Sequence, residues 1–211
     1  MLRLADDPGG DVRLHQIVAA AYELLDEAGL EGLTIRAVLA RTGLARRAFY
    51  ECFSGKDDLV LAVFETTLLG ASEYYRALAD QLGDPLETIR EIAQGIVLGR
   101  YGLEQDPGES IDRRSAAMAR EHLRLAETRP EELQAALRPL LDLIAGQVRD
   151  GIRSGQLRKA DPDLQARLIY NIVATTAHTE LIAEDRTGSD REKRRALAEN
   201  LWEFCRRAIV A

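Results

Sequence analysis

The chain is poor in cysteine and in aromatic residues. Of its 211 residues two are cysteines, one is tryptophan, and 5% are aromatic. Two cysteines are too few for a disulfide framework, so we expect the protein in a reducing compartment, the cytoplasm. No uncharged apolar run approaches the roughly 18–20 residues that a membrane helix needs, which predicts no membrane partner. The first eleven residues carry three aspartates and no apolar core, so we expect no secretory signal there.

The usual signatures of catalysis and metal binding are also missing from the sequence. It contains no phosphate-binding glycine-rich loop, no G-x-S-x-G, no H-E-x-x-H and no C-x-x-C. The three histidines, His15, His122 and His178, are too scattered to suggest a metal site. We therefore predict a protein that is not an enzyme and that uses neither a metal nor a cofactor.

Apolar residues at helical spacing dominate what the sequence does contain. Hydrophobic residues make up 46% of the chain and charged residues 30%, which is typical of one globular domain or two small ones. No segment alternates apolar and polar residues over the length of a strand, so an all-α fold of about nine helices is predicted. Three short helices give way to long ones near Gly55. This change predicts an N-terminal unit over residues 1–55 and a larger helical bundle over residues 56–211.

A helix-turn-helix pattern occupies residues 34–53. Two short helices are joined by the segment from Thr42 to Leu44, and its central Gly43 adopts a left-handed turn at no steric cost. The outward face of the second helix carries Arg46, Arg47, Tyr50 and Glu51. In such motifs the N-terminal residues of the second helix reach base edges in the major groove, and arginine suits guanine O6 and N7. Spacing alone equally describes a helical hairpin with a solvated basic face.

The charge of the chain first argues against a nucleic-acid partner. Twenty-eight Lys and Arg stand against 35 Asp and Glu, which gives a net charge of −7. The helix-turn-helix segment differs, because Thr34–Lys56 contains five basic residues and one acid, Glu51. A phosphate backbone responds to the local face, so the acidic total does not exclude contact with DNA.

The stretch from Ile17 to Phe64 resembles the N-terminal domain of the tetracycline-repressor-like (TetR) family of bacterial regulators. Its positions agree with the family pattern in unbroken register over about a quarter of the chain, whereas the rest resembles the family in helix count and order. The matching residues are Ile17-Val18-Ala19-Ala20, Gly29, Leu33-Thr34-Ile35, Val38-Leu39, Gly43-Leu44-Ala45, Phe49-Tyr50, Phe53 and Lys56-Asp57-Asp58-Leu59.

The resemblance implies a homodimeric transcriptional repressor that a small, mostly apolar effector releases from a palindromic operator in double-stranded DNA. It also implies an N-terminal three-helix DNA-binding domain and a C-terminal bundle for effector binding and dimerisation. Ala45 stands where the family usually has Ser or Thr, so its helix lacks a side-chain N-cap, and Glu51 would be repelled by phosphate. The expected DNA-binding residues are Thr34, Arg36, Ala45, Arg46, Arg47, Phe49, Tyr50 and Lys56.

Two further residue sets follow for the bundle. The expected effector-binding residues lie on helices that line pockets in this family, and they are Tyr74, Arg100, Tyr101, Met118, His122, Asn171, Thr175 and His178. The last three share one face of the eighth helix. The expected dimer surface lies on the last two helices: Ala166, Tyr170, Ala174, Ala177, Leu181, Leu201, Trp202 and Cys205. An alternative interpretation is a TetR-like ligand-binding or protein-interaction module with weak or lost operator binding, which Ala45 and Glu51 favour.

Overall fold

The computed structural model describes residues 8–99, 109–187 and 190–211. This part of the chain forms nine helices and no sheet, as the sequence predicts. Arg100 and Tyr101, two of the expected effector-binding residues, lie outside it. The helices are α1 (Pro8–Gly32), α2 (Ile35–Thr42), α3 (Arg46–Cys52), α4 (Lys56–Leu82), α5 (Pro85–Leu98), α6 (Glu109–Thr128), α7 (Pro130–Ser154), α8 (Pro162–Thr187) and α9 (Arg191–Ile209).

Helices α1, α2 and α3 pack around a small apolar centre. Ile17, Leu33, Val38 and Phe49 are completely buried in it. The predicted stop at Gly29 is a kink, because Gly29 has φ 60° and the helix resumes to Gly32. Removing the Phe49 ring from a site of this kind costs about 3–5 kcal/mol, so the residue anchors α3 in the protein.

Helix α4 connects this three-helix unit to the bundle. The run Ser54-Gly55-Lys56-Asp57 predicts a side-chain cap at the start of α4, but the N-cap is Gly55, which makes no side-chain hydrogen bond. Ser54 instead donates from its backbone N–H and its hydroxyl to the carboxylate of Asp58. The hydroxyl bond lowers the pKa of Asp58. The Lys56 ammonium donates to the carbonyl oxygen of Leu30 at 2.9 Å, so the start of α4 is fixed to the end of α1.

The bundle places α6 against both α1 and α8, and packs α7 against α4, α5 and α8. Asp84 caps α5 by accepting from the backbone N–H groups of Leu86 and Glu87, as the Asp-Pro pair predicts. Asp190 caps α9 in the same way. The α7 helix continues through Pro139, where the sequence predicts a kink or a break.

The expected dimer stripe is buried inside the protomer. Its small residues on α8 let this helix approach α6 and α7 of the same chain, so they leave no surface for a second chain. All five members are at most 4% exposed, namely Ala166, Tyr170, Ala174, Ala177 and Leu181. Trp202 and Cys205 on α9 are core residues as well, and Leu201 is half-buried against them. These seven side chains therefore lie in the core of the protomer and not on its surface, where the sequence predicts them.

The opposite side of α8 is apolar and exposed. Leu164 and Leu168 are both 45% exposed, and Ile172 is 36% exposed. Their spacing of four residues places them on one helix face. Phe204 on α9 is 60% exposed. None of the described helices has the length and hydropathy of a membrane span.

Candidate DNA interface and ligand cavity

The turn between α2 and α3 has the geometry that its sequence predicts. Gly43 has φ 70° and ψ 7°, and its N–H donates to the carbonyl oxygen of Leu39 at 3.0 Å. Thr34 caps α2, because its hydroxyl oxygen accepts from the backbone N–H of Ala37 at 3.1 Å. Ala45 begins α3 with an extended backbone and no side-chain hydrogen bond, as expected from the missing hydroxyl.

The exposed face of α3 carries two arginines and a tyrosine. Arg46 donates to the hydroxyl of Tyr50 at 3.3 Å, and its guanidinium lies 5.6 Å from the centre of that ring. Arg47 projects furthest, with its side chain 90% exposed. Both arginines occupy the first turn of α3, where a helix of this motif meets base edges.

Glu51 draws two arginines together on the same face. Its carboxylate accepts from Arg47 Nε at 3.0 Å and from Arg13 Nη1 of α1 at 3.2 Å. The only acid within Thr34–Lys56 is therefore paired with two cations. Arg41 is similarly occupied, because it bridges α2 to Glu23 and Glu27 of α1 at 2.6–3.0 Å.

Two of the expected DNA-binding residues, Phe49 and Lys56, are less exposed than the other six. Phe49 is completely buried, so its side chain supports α3 instead of contacting DNA. Lys56 is half-buried and donates a hydrogen bond to the carbonyl oxygen of Leu30, so it links α1 to α4. Thr34, Arg36, Ala45, Arg46, Arg47 and Tyr50 are exposed.

A cavity lies inside the bundle between α4, α5, α6, α7 and α8. It has room of about 20 Å³, roughly what one water-sized group occupies. Three of the expected effector-binding residues line it, namely Met118, His122 and His178. The other lining residues are Phe64, Thr67, Leu68, Ile96, Leu140 and Tyr170.

The remaining expected effector-binding residues that the structure describes do not reach this cavity. Tyr74 is 45% exposed, whereas its neighbour Tyr75 is 2% exposed. Asn171 and Thr175 share a helix face with His178 by spacing, but that face lies at the border of the buried stripe and only His178 turns inward. Phe64, Thr67 and Leu68, which line the cavity from α4, are not among the residues expected from the sequence. Their spacing, which places them on one helix face, was the signal that could have identified them.

The two cavity histidines contact each other. Their ring centres are 4.6 Å apart, and His178 is only 6% exposed. The Nδ1 atoms of both rings are buried and have no hydrogen-bond partner among the described residues. Burial lowers the pKa of His122 to about 4, and burial together with the neighbouring His122 lowers that of His178 to about 3. Both imidazoles are therefore neutral at pH 7.

One wall residue connects the cavity to the N-terminal unit. Thr67 donates to the carbonyl oxygen of Val63 and forms a short hydrogen bond with the hydroxyl of Tyr22 on α1. The guanidinium of Arg114 lies 5.7 Å from the Tyr22 ring centre and donates to Asp26 at 2.9 Å. Helix α1 is thus bonded to the cavity wall on α4 and to α6.

A second space of about 430 Å³ lies where α3, α4 and the start of α7 meet. Asp58 and Arg129 pair across it at 2.9 Å, and Glu65, whose pKa burial raises, adds another acid. Although it is larger, this groove is lined by charged side chains, whereas the lining of the cavity is mostly apolar and less open to solvent. Cys52 lines the groove, and burial raises the pKa of its thiol, which disfavours the reactive thiolate.

Comparison with known proteins agrees with this geometry. Residues 17–63 match the model of the family described as bacterial regulatory proteins, tetR family. The uncharacterized HTH-type transcriptional regulator YezE of Bacillus subtilis strain 168 is 30% identical over 78 residues. That stretch covers 37% of this chain and 40% of the relative, so less than half of YezE is matched.

Solved structures extend the likeness to the whole chain. A TetR-family transcriptional regulator of Pectobacterium atrosepticum shares 23% identity over 98% of each chain, with a TM-score of 0.76. SmeT, the repressor of the Stenotrophomonas maltophilia multidrug efflux pump SmeDEF, shares 26% identity, with 94% of this chain and 90% of SmeT covered and a TM-score of 0.64. FadR of Bacillus subtilis, solved in complex with stearoyl-CoA, shares 17% identity, with 90% and 96% covered and a TM-score of 0.66.

These observations give the described residues the architecture of a helix-turn-helix unit followed by a helical C-terminal bundle. More particularly, residues 17–63 match the N-terminal domain of the tetR family, and the chain has the fold of the TetR-family regulators compared above.

Proposed function

We propose that this protein is a homodimeric, ligand-responsive repressor that leaves a palindromic operator when a small, mostly apolar effector binds. The exposed first turn of α3, with Arg46 and Arg47 beside a Gly43 turn, is the observation that carries the proposal. Residues 1–55 act on DNA and residues 56–211 bind the effector and the second subunit. The bacterial cytoplasm is the place of this activity.

Base recognition in this proposal depends on α3. Arg46 and Arg47 read base edges, while Thr34, Arg36 and Tyr50 contact the phosphate backbone around them. Phosphate contacts fix the register of the helix, and arginine contacts to guanine supply sequence discrimination. Phe49 contributes indirectly, because its burial fixes the angle of α3.

The dimer in this proposal uses the exposed apolar side of α8 together with Phe204 of α9. Leu164, Leu168 and Ile172 share one face of α8, and a monomer would leave them and Phe204 in water. Burying these side chains against a second copy brings two recognition helices into one particle. Such a dimer places them in successive major grooves, about 34–36 Å apart.

Release in this proposal begins in the cavity. Its space of about 20 Å³ means that an effector larger than one small group must displace wall side chains. Movement of Thr67 on α4 disturbs its hydrogen bond to Tyr22 and therefore changes the position of α1. The two recognition helices then change separation, and operator-bound and released states shift in population.

DNA selected from a random pool, followed by salt-dependent binding of the selected duplex, tests the proposed function. We expect Arg46→Ala and Arg47→Ala to relax base discrimination by about 1–3 kcal/mol for each lost bidentate contact. Arg153→Ala, at the exposed end of α7, removes the same charge far along the chain and serves as a control. Unchanged selectivity in both α3 variants would contradict the base-contact assignment.

A second candidate function is a ligand-binding or protein-interaction module without operator binding. The uncapped start of α3 at Ala45 and the arginines held by Glu51 favour it. The selection experiment distinguishes the two candidates, because such a module enriches no sequence from the pool at low salt.

A further inference from the structure

Two buried nitrogen atoms at the cavity lack a hydrogen-bond partner among the described residues. They are the Nδ1 atoms of His122 and His178, whose rings line the same cavity, and His178 is 6% exposed. A buried polar atom without a hydrogen bond costs free energy, so native proteins generally satisfy such atoms. The space of about 20 Å³ has room for one polar group beside these rings, which is either a water molecule or the polar group of a bound ligand.

The rest of the wall sets the shape of that ligand. Phe64, Leu68, Ile96, Met118 and Leu140 make the lining predominantly apolar. Two other polar residues line the wall: Thr67 is already bonded to Val63 and Tyr22, and Tyr170 is not without a partner either. The bonds that the cavity still offers thus lie at its histidine end.

Among the described residues that line the wall, none is charged. The arginines and acids of the adjoining helices pair with each other outside it, as Arg114 does with Asp26 and Arg124 with Glu121. The histidines do not supply a cation at neutral pH, because burial keeps their pKa values near 4 and 3. A carboxylate or ammonium group would therefore enter the cavity without a counter-charge.

We infer that the cavity selects a small uncharged molecule whose one hydroxyl or carbonyl group bonds to the imidazoles of His122 and His178. A neutral imidazole offers one donor and one acceptor, so a hydroxyl or a carbonyl can each find a matching tautomer. The apolar body of the molecule lies against Phe64 and the aliphatic wall. This inference rests on the proposed function, since it names the chemical class of the effector.

Nitrogen NMR of the histidines tests the inference on the full chain. The three histidines give separate signals, and exposed His15 on α1 is an internal reference. Four probes of similar size are compared: phenol, toluene, benzoate and benzylammonium. We expect phenol to shift the Nδ1 signals of His122 and His178 in a saturable way and to leave His15 unchanged. Benzoate and benzylammonium should bind at least about tenfold more weakly than phenol.

Three results would overturn the inference. In the first, a charged probe binds as tightly as phenol. In the second, phenol causes no saturable shift of the Nδ1 signals. In the third, Zn²⁺ shifts the Nδ1 signals as much as phenol does, which would assign the pair to a metal. His178→Leu should weaken phenol binding, whereas His15→Leu should not. If His178→Leu does not fold, as circular dichroism would show, the ranking of the four probes on the unmodified protein decides.

Operator binding is measured separately on the same protein sample without probe. A failure to bind any selected DNA contradicts the proposed function and leaves the cavity chemistry to the NMR result. Operator binding together with an unresponsive histidine pair contradicts only the inference about the effector class.

Discussion

Glu51, on the exposed face of α3, pairs with two arginines. It holds Arg47 and Arg13 at 3.0 and 3.2 Å, and its side chain is 43% exposed. Exposed ion pairs contribute at most about 1 kcal/mol, so phosphate can displace either arginine from Glu51 at small cost. In the proposed function, Glu51 therefore competes with phosphate for these arginines and lowers the affinity for DNA that offers phosphates alone.

We expect Glu51→Gln to bind random-sequence duplex DNA more tightly than the unmodified protein. Two freed arginines should also steepen the plot of log affinity against log salt by about 1–2, since each neutralised phosphate contributes about 0.9. Fluorescence anisotropy at several salt concentrations measures both quantities. Glu31→Gln, an exposed acid near the end of α1, removes the same charge elsewhere. An equal salt slope in Glu51→Gln and Glu31→Gln would refute the competition.

The histidine pair gives the folded state a defined sensitivity to acid. The folded pKa values, about 4 and 3, lie below the roughly 6.5 of an unfolded histidine, so the unfolded chain takes up these protons first. The stabilisation is full above about pH 6.5 and is lost as the pH falls towards the folded values.

At pH 5 we expect each cavity histidine to have lost up to about 2 kcal/mol of unfolding free energy relative to pH 7.5. Urea unfolding at the two pH values measures the loss. The variant with both His122→Leu and His178→Leu should show a smaller loss, and His15→Leu should behave like the unmodified protein. An identical pH dependence in all three would contradict the burial of neutral imidazoles.

At the scale of the element, the two short helices of the helix-turn-helix begin differently. Helix α2 is capped by the hydroxyl of Thr34. The N-cap of α3, Ala45, has the extended backbone of an N-cap residue but no side-chain acceptor. Both positions are exposed, so their caps can be exchanged without disturbing the core.

We expect Thr34→Ala to destabilise the protein by about 1 kcal/mol and Ala45→Ser to stabilise it by a similar amount. For a chain of this length the two changes shift the melting temperature by about 2–4 °C in opposite directions. Differential scanning calorimetry measures both. A loss of stability in Ala45→Ser would mean that the extended backbone at this position does not present a serine hydroxyl to α3.

Helix ends were the most predictable part of this fold. Gly43, Gly83 and the Asp84-Pro85 pair specify local backbone geometry, and the structure uses each of them as the sequence predicts. The cap predicted at Ser54 does not form, because the Ser54 hydroxyl donates to Asp58 and the N-cap is Gly55 without a side-chain bond. Local chemistry thus predicts where these helices begin and end more firmly than which side chains bond there.

At the scale of the whole molecule, the sequence left the orientation of α8 undetermined. Its small residues and its leucines form two apolar stripes, and either could face the core by periodicity. The packing of α6 and α7 against the small residues decides the matter, because a narrow stripe allows the closest approach of helices. In this orientation of α8, Tyr170 lines the cavity, and Leu164 and Leu168 are exposed to solvent.

We expect Leu168→Glu to shift the protein from dimer towards monomer. The substitution places a charge in the apolar surface that the proposed dimer buries, and an unpaired buried charge is costly. Light scattering after size-exclusion chromatography measures the mass. Leu123→Glu, at a similarly exposed leucine of α6, should leave the mass unchanged. Equal masses for the unmodified protein and Leu168→Glu would exclude this face as the interface.

The uneven charge of the chain has a consequence for the rate of DNA association in the proposed function. The segment Thr34–Lys56 carries an excess of four positive charges, whereas residues 1–33 carry seven acids against two basic residues and residues 57–211 carry 27 acids against 21 basic residues. The local positive charge around α3 attracts the phosphates of a duplex and favours encounters in which α3 faces the DNA. Added salt should therefore slow association more than it speeds dissociation.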